Sequence, residues 1–367
     1  MMYEPSNIIM ILEILQKNGG FFFYNPINKR GVVGCKSELQ EELGVTTLNE
    51  SEISFFAIPF FSDINKKGEG LWNTMKMGEI TFPYCYSIVF SVGTQKKTTP
   101  TPIYVNVVDD YENWCDLFNI IMSNIKAREV EKVVASRQVE ILFDKEINLA
   151  SCVLNLLKNN PQSYVFAYIC GGKAFIGATP EILVEKCGSC IQSYAVAGTF
   201  SKCENNEERG KELLNDIKNN HEHKIVIEEI VSTMRTVTNK VSIGTTELME
   251  LKNLFHLKTS IVATDGQKNL IEWVRLLHPT PAMGGKPRKK ALELIKKYEQ
   301  HDRGLFASPI GIIERNGDGI FVVGIRSALI EGNKMYAYAG CGIVEQSDCR
   351  EEYEETNTKL RTILEAL

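Results

Sequence analysis

Apolar residues fall into two spacings along this chain, and the two alternate in long blocks. Residues 130–143 (Val-Glu-Lys-Val-Val-Ala-Ser-Arg-Gln-Val-Glu-Ile-Leu-Phe) predict a long strand. Residues 163–170, 174–186 and 189–198 are near-continuous apolar runs separated by Gly171-Gly172 and by Gly188, which predicts consecutive antiparallel strands. A second set follows at 308–314, 319–330 and 334–344, with Asn316-Gly317 and Gly332-Asn333 as hairpin turns. Residues 54–61, 86–91 and 255–263 also read as buried strands. Helical spacing appears at 5–15, at 111–125, through most of 204–234, and at 286–300, where Pro287 opens the helix. A final helix starts at Cys349, with Asp348 as N-cap and Glu351 as its capping-box partner. Long hairpins with segregated helices predict an α+β fold, not a βαβ wind.

Composition narrows this picture. The 367 residues carry 44% hydrophobic positions, enough for a large core. No linker, low-complexity tract or repeat divides them, so a single domain is expected. A formal net charge of −5 argues against nucleic acid as the main partner. No apolar run reaches the roughly 18 residues of a membrane span. The first six residues, Met-Met-Tyr-Glu-Pro-Ser, lack a basic segment followed by an apolar one, so a cytoplasmic location is expected. Ten scattered cysteines then read as buried free thiols. Cys187-Gly-Ser-Cys190 has CxxC spacing but reads as a hairpin turn.

Candidate chemistry sits in the last two thirds. The run from His278 to Arg288, His-Pro-Thr-Pro-Ala-Met-Gly-Gly-Lys-Pro-Arg, cannot continue a helix or strand and suits a loop around an anionic ligand. His221 and His223 are two apart on a helix and point about 200° apart, so they cannot share one metal ion. That leaves the carboxylate of Glu222. Glu352, Glu355 and Lys359 share one face of the last helix. Turned inward and joined with Glu222, these carboxylates could hold a hard cation such as Mg2+. Lys132 lies on the 130–143 strand; if buried, a lysine falls from its usual pKa of about 10.4 and can act as a general base. Glu181 opens the apolar stretch 182–184, where a carboxyl can be held neutral and act as a general acid. Arg326, expected on a central strand, would suit a carboxylate gripped by both arms of its guanidinium. Ala197-Gly-Thr199 and the 339–343 segment, Ala-Gly-Cys-Gly-Ile, could offer backbone N–H groups to an anion.

In this order the segments resemble the chorismate-utilising enzymes. The likeness runs from about residue 126 to 367. It rests on Lys132-Val-Val-Ala-Ser-Arg137, Gly177-Ala-Thr-Pro-Glu181, Ala197-Gly-Thr199, His221-Glu-His223, Leu254-Phe-His-Leu257, His278-Pro-Thr-Pro-Ala282, Asp302-Arg-Gly304, Ile325-Arg-Ser-Ala328, Ala339-Gly-Cys-Gly-Ile343 and Glu355-Thr356. Residues 1–120 correspond by position only. Within the family the likeness is greatest to the isochorismate synthase branch. Lys132 stands where that branch keeps its water-activating base, and residues 278–282 have its form of the loop. Ala197 replaces the nucleophilic lysine of the aminodeoxychorismate branch. Met283-Gly284 and Cys341 depart from the family pattern inside otherwise matched loops.

The resemblance implies two large antiparallel sheets packed as a sandwich with helices outside, as in anthranilate synthase component I. It implies Lys132 as general base and Glu181 as general acid. Glu222 and Glu355 would ligate Mg2+, with Glu352 helping through water. Arg326, Lys359, Gly198, Thr199, Gly340 and Gly342 would hold the substrate carboxylates, and His256 would line the ring site. The implied substrate is chorismate. No amidotransferase subunit is implied, because water is the nucleophile, and a monomer is expected because the family is often monomeric. Isochorismate can feed menaquinone, siderophore or salicylate synthesis. A salicylate synthase and a non-catalytic chorismate-binding homologue are the competing readings.

Overall fold

The unbroken apolar runs belong to strands covered on both faces. In the strand Tyr164–Cys170, Tyr164, Phe166 and Tyr168 enter one core, while Val165, Ala167 and Ile169 enter another. Phe21 and Phe23 separate from Phe22 and Tyr24 in the same way in the strand Gly20–Asn25. Side chains alternate with period two, so a strand apolar at every position is one buried on both sides. The computed structural model describes residues 5–39, 46–48, 53–61, 71–72, 74–89, 104–107, 110–203 and 206–367. Of the sequence expectations, Met1 to Glu4, Phe90, Ser91, Glu204 and Asn205 lie outside the described residues.

Two antiparallel sheets form the centre. The eleven-stranded sheet runs Gly285–Lys286, Lys132–Phe143, Lys334–Ile343, Ser327–Glu331, Lys173–Thr179, Tyr164–Cys170, Gly20–Asn25, Arg30–Cys35, Tyr84–Val89 and Thr46–Leu48; Tyr104–Val107 also pairs with Lys132–Phe143. The eight-stranded sheet runs Val241–Glu250, Leu254–Thr264, Cys190–Ser201, Ile182–Cys187, Gly319–Val323, Pro309–Glu314, Ile53–Ala57 and Gly78–Ile80. N-terminal strands extend both sheets: Gly20–Asn25 lies beside Tyr164–Cys170, and Ile53–Ala57 beside Pro309–Glu314. Helices Pro5–Asn18, Leu149–Asn159 and Cys349–Leu364 contribute Leu12, Val153 and Ile363 to the core on the outer face of the larger sheet. Ile217–Arg235 and Leu270–Leu277 cover the smaller sheet with Val226, Ile230 and Trp273. Tyr111–Lys126 and Arg288–Tyr298 pack at the start of Lys132–Phe143. This is the α+β sandwich with outer helices that the resemblance implies.

Two predicted strands are in fact broken, and each break is a crossing between sheets. The 174–186 run splits at Pro180-Glu181 into Lys173–Thr179 of the larger sheet and Ile182–Cys187 of the smaller. Proline lacks the N–H a ladder needs, so the break falls there. The 319–330 run splits into Gly319–Val323 and Ser327–Glu331, again on different sheets. Arg326 therefore lies in a crossing and not on a central strand, and its φ of +51° is one that side chains other than glycine seldom adopt. The 204–234 stretch is two helices, Asn206–Asn215 and Ile217–Arg235, because Asp216 leaves helical geometry and caps the second by accepting from the Asn219 amide.

Nine of the described elements carried no clear signal in the pattern above: Gly20–Asn25, Arg30–Cys35, Thr46–Leu48, Gly78–Ile80, Tyr104–Val107, Leu149–Asn159, Val241–Glu250, Leu270–Leu277 and Gly285–Lys286. Val241–Glu250 is an exposed edge strand with no buried face to demand alternation. Asp348 does cap the last helix, accepting from the amides of Arg350 and Glu351, and the helix Leu270–Leu277 has a reciprocal capping box between Asn269 and Glu272. The ten cysteines are thiols, but only Cys35, Cys85, Cys152 and Cys341 are buried. Among the described residues no helix is long and apolar enough to cross a membrane.

Candidate active site

Both crossings open onto one cavity. It is lined by Glu181, Gly198, Glu222, His256, Arg326 and Lys359 among others, and the space of about 670 Å³ among them includes open solvent.

Lys132 begins its strand with its side chain wholly buried, and its Nζ lies 2.9 Å from Glu222 Oε1. The two form a buried ion pair. Burial works to raise the Glu222 pKa, yet Lys132, with Lys359 and Lys218 beyond it, holds that carboxyl below its usual range. Gly342 makes room for the pair. A Cβ there would sit 2.3 Å from Glu222 Oε1 and 2.5 Å from Lys132 Cε.

Glu181, at the first crossing, is 4% exposed. Burial pushes its carboxyl up to about 7, against the pull of Arg326, Lys132 and Lys359. Arg326, at the second crossing, is lowered to about 10 by burial, with Glu355 and Glu181 opposing. Its Nη2 donates to His256 Nε2 at 2.8 Å. Guanidinium can only donate, so His256 carries its proton on Nδ1, which faces Thr199 Oγ1 at 3.0 Å and the Gly198 carbonyl at 3.3 Å. Burial and then Arg326 keep this imidazole neutral.

Gly198, at a φ of +78°, forms a bulge in the strand Cys190–Ser201. The Thr199 amide after it donates to Asn219 Oδ1 at 2.8 Å, and Asn219 Nδ2 donates to the cap residue Asp216 at 2.7 Å. The turn is thereby tied to the helix that carries Glu222. Gly340 and Gly342 lie in the strand Lys334–Ile343, and Lys359 Nζ donates to the Gly340 carbonyl at 2.9 Å while pairing with Glu355 at 2.6 Å.

The remaining carboxylate, Glu352, is buried. It accepts from Lys218 at 2.5 Å and from Ser347 at 2.7 Å, and burial followed by repulsion from Glu355 raises its pKa. His221 is exposed; His223 is buried on Thr259 Oγ1 at 2.8 Å and kept neutral by burial and Lys132, pushed down to about 4. Among the described residues no three His, Cys, Asp or Glu side chains are grouped so as to hold a metal ion. The 278–288 loop reaches the cavity through Ala282 and Met283, while His278 packs edge-on against Phe60 at 5.4 Å.

Sequence reasoning missed Asn219, Lys218 and a supporting pair, Arg303 and Glu299. Arg303 is buried and donates to the carbonyls of Val134 and Met283, both at 2.8 Å, and to Glu299, which also accepts from the Ser136 amide. It clamps the Lys132 strand to the loop that covers the cavity. The signal was Asp302-Arg-Gly304, which the resemblance placed without assigning it a role. For Asn219 the signal was the cap Asp216 three residues earlier.

The sequence profile of a family described as Chorismate binding enzyme matches residues 86–367. The chain is 38% identical over 263 residues to "Isochorismate synthase MenF" of Bacillus subtilis, covering 70% of this chain and 56% of that protein. It thus spans little more than half of that relative. It is 29% identical over 367 residues to "Isochorismate synthase EntC" of Escherichia coli, covering 94% of this chain and 93% of that one. The crystal structure of DhbC from Bacillus anthracis superimposes with a TM-score of 0.81 at 24% identity over 98% of both chains, a likeness of fold.

Proposed function

Because this chain belongs to the chorismate-binding enzymes, we propose that it converts chorismate reversibly to isochorismate, the activity its curated relatives are named for. The observation that carries this reading is Glu181, a carboxyl that stays protonated up to about pH 7 on the wall of the cavity, with buried Lys132 reaching that wall only through its contact with Glu222. A proton donor facing a bound ring is what loss of a hydroxyl needs.

In this reading Lys132, once its ammonium has given up its proton, acts as the neutral amine that takes a proton from water, and the water oxygen bonds to C2 of the ring. The double bonds shift, the bond from C4 to its hydroxyl breaks, and Glu181 supplies the proton with which that hydroxyl leaves as water. Arg326 and Lys359 hold the substrate carboxylates, with the Gly198–Thr199 turn and the 340–342 segment beside them. His256 keeps Arg326 oriented and lines the ring site. Ala197 offers no amine for covalent attack, so the nucleophile comes from solvent.

The acidic cluster has the chemistry for Mg2+. Glu222, Glu352 and Glu355 are hard oxygen donors, and the repulsion of Glu355 on buried Glu352 is what a dication relieves. These three residues would hold it, and when bound it supplies positive charge against a substrate carboxylate.

The test is incubation of purified protein with chorismate and MgCl2 in 18O-labelled water. The expected product is isochorismate labelled at C2, approaching an equilibrium mixture, with turnover abolished by EDTA. Salicylate with pyruvate would instead establish the salicylate synthase reading. Anthranilate formed from ammonium salts would overturn the choice of nucleophile, and absence of any turnover would favour a binding protein.

A further inference from the structure

Cys115 and Cys349 are 234 residues apart in sequence, yet their sulfurs lie 3.4 Å from each other. Cys115 is in the helix Tyr111–Lys126, and Cys349 is the first residue of the helix Cys349–Leu364. Their surroundings hold the two helices in register. Trp114 Nε1 donates to the Cys349 carbonyl at 3.1 Å, and Tyr111 packs edge-on against Tyr353 with ring centroids 4.8 Å apart. Both thiols are half-buried, within reach of a small solute, whereas Cys35, Cys85, Cys152 and Cys341 are buried.

We propose that Cys115 and Cys349 form an oxidant-sensitive dithiol, which hydrogen peroxide converts to an intramolecular disulfide stapling the Tyr111–Lys126 helix to the first turn of the Cys349–Leu364 helix. A disulfide needs its sulfurs at about 2.05 Å. The remaining approach is small, and Cys349, at a helix start, has no preceding turn to restrict it. The Cys349 thiol donates to Cys115 Sγ. Burial, then Cys115, pushes the Cys349 thiol up to about 12, so it keeps its proton. Cys115 is therefore the sulfur that attacks.

The chemistry balances in two steps. The Cys115 sulfur bonds to one peroxide oxygen and the O–O bond breaks; the second oxygen leaves as water, taking the thiol proton, and a sulfenic acid remains. The Cys349 sulfur then bonds to the Cys115 sulfur, the S–O bond breaks, and the hydroxyl departs as water with the Cys349 proton. Two thiols lose two electrons and one peroxide becomes two waters.

The staple would fix the helix start between the cap Asp348 and Glu352. A second thiol pair, Cys187 and Cys190, faces across a hairpin and is exposed, so the experiment must tell the two apart. Full-length reduced protein is treated with one equivalent of hydrogen peroxide, quenched in denaturant with an alkylating agent, and digested without reductant. The expected result is a cross-linked peptide containing Cys115 and Cys349, an intact mass lower by two hydrogens, and a Tm that rises on oxidation and returns with dithiothreitol. Cys115→Ser and Cys349→Ser should each abolish the cross-link and the Tm rise. If wild-type protein kept Cys115 and Cys349 alkylatable while Cys187, Cys190 or Cys203 were oxidised, the proposal would be overturned. That readout needs neither variant to fold. Linkage of Cys115 or Cys349 to any other cysteine would overturn it equally. None of these readouts depends on turnover.

Discussion

Replacing Glu181 with Gln should stabilise the fold and disable the chemistry at once, and the stabilising part should depend on pH. Burial lifts this carboxyl from 4.5 to about 7. Between those values the unfolded chain gives up its proton while the folded chain keeps it, so the native state binds more protons and loses stability as pH rises. The loss begins near pH 4.5, is complete above about 7, and amounts to on the order of 3 kcal/mol at roughly 1.4 kcal/mol per unit. The amide of the Glu181→Gln variant has no such proton to lose. Urea denaturation of both proteins should give similar stabilities near pH 4.5 and a Glu181→Gln advantage growing toward on the order of 3 kcal/mol by pH 8. Turnover should fall by on the order of 10²–10⁴ because the acid is gone. In the unaltered enzyme, kcat/KM should decline above about pH 7 as Glu181 ionises. A variant less stable at pH 8, or a difference that does not change with pH, would refute the idea that Glu181 is held protonated by burial.

Three further outcomes follow from the site. Lys132→Ala should lower turnover by on the order of 10²–10⁴, and infrared titration should show the Glu222 carboxyl moving up, since Lys132 is the nearest charge holding it down. Gly342→Ala places a methyl against both Glu222 and Lys132, so steady-state kinetics should show a fall in kcat while circular dichroism stays native. Arg303→Leu leaves Glu299 buried without its partner and should cost about 3–5 kcal/mol in denaturant titration.

Much of this was legible in the chain. Residues that line the cavity come from short segments with unusual local demands: proline before Glu181, glycine at 198, glycines at 340 and 342. Such punctuation survives in sequence because the backbone requires it. Arg326 was correctly singled out as a buried cation but placed on a strand, since apolar neighbours on both sides look alike whether the chain runs straight or changes sheets. The edge strand Val241–Glu250 left no periodic trace because water meets most of its side chains. Arg303 was visible only as a motif, because its partners, the Val134 and Met283 carbonyls, are main-chain atoms that no side-chain pattern reports.

The two crossings have a mechanical consequence. Lys132 and the 340–342 glycines ride on one hydrogen-bonded slab, while His256 and Gly198 ride on the other. Glu181 and Arg326 sit on the straps that join them. The distance between proton donor and proton acceptor is therefore gauged by the thickness of the layer between the slabs. Trimming a distant spacer in that layer, such as Phe175 or Phe321, would act on catalysis as a change of calibre, altering rate without touching any group that meets the substrate.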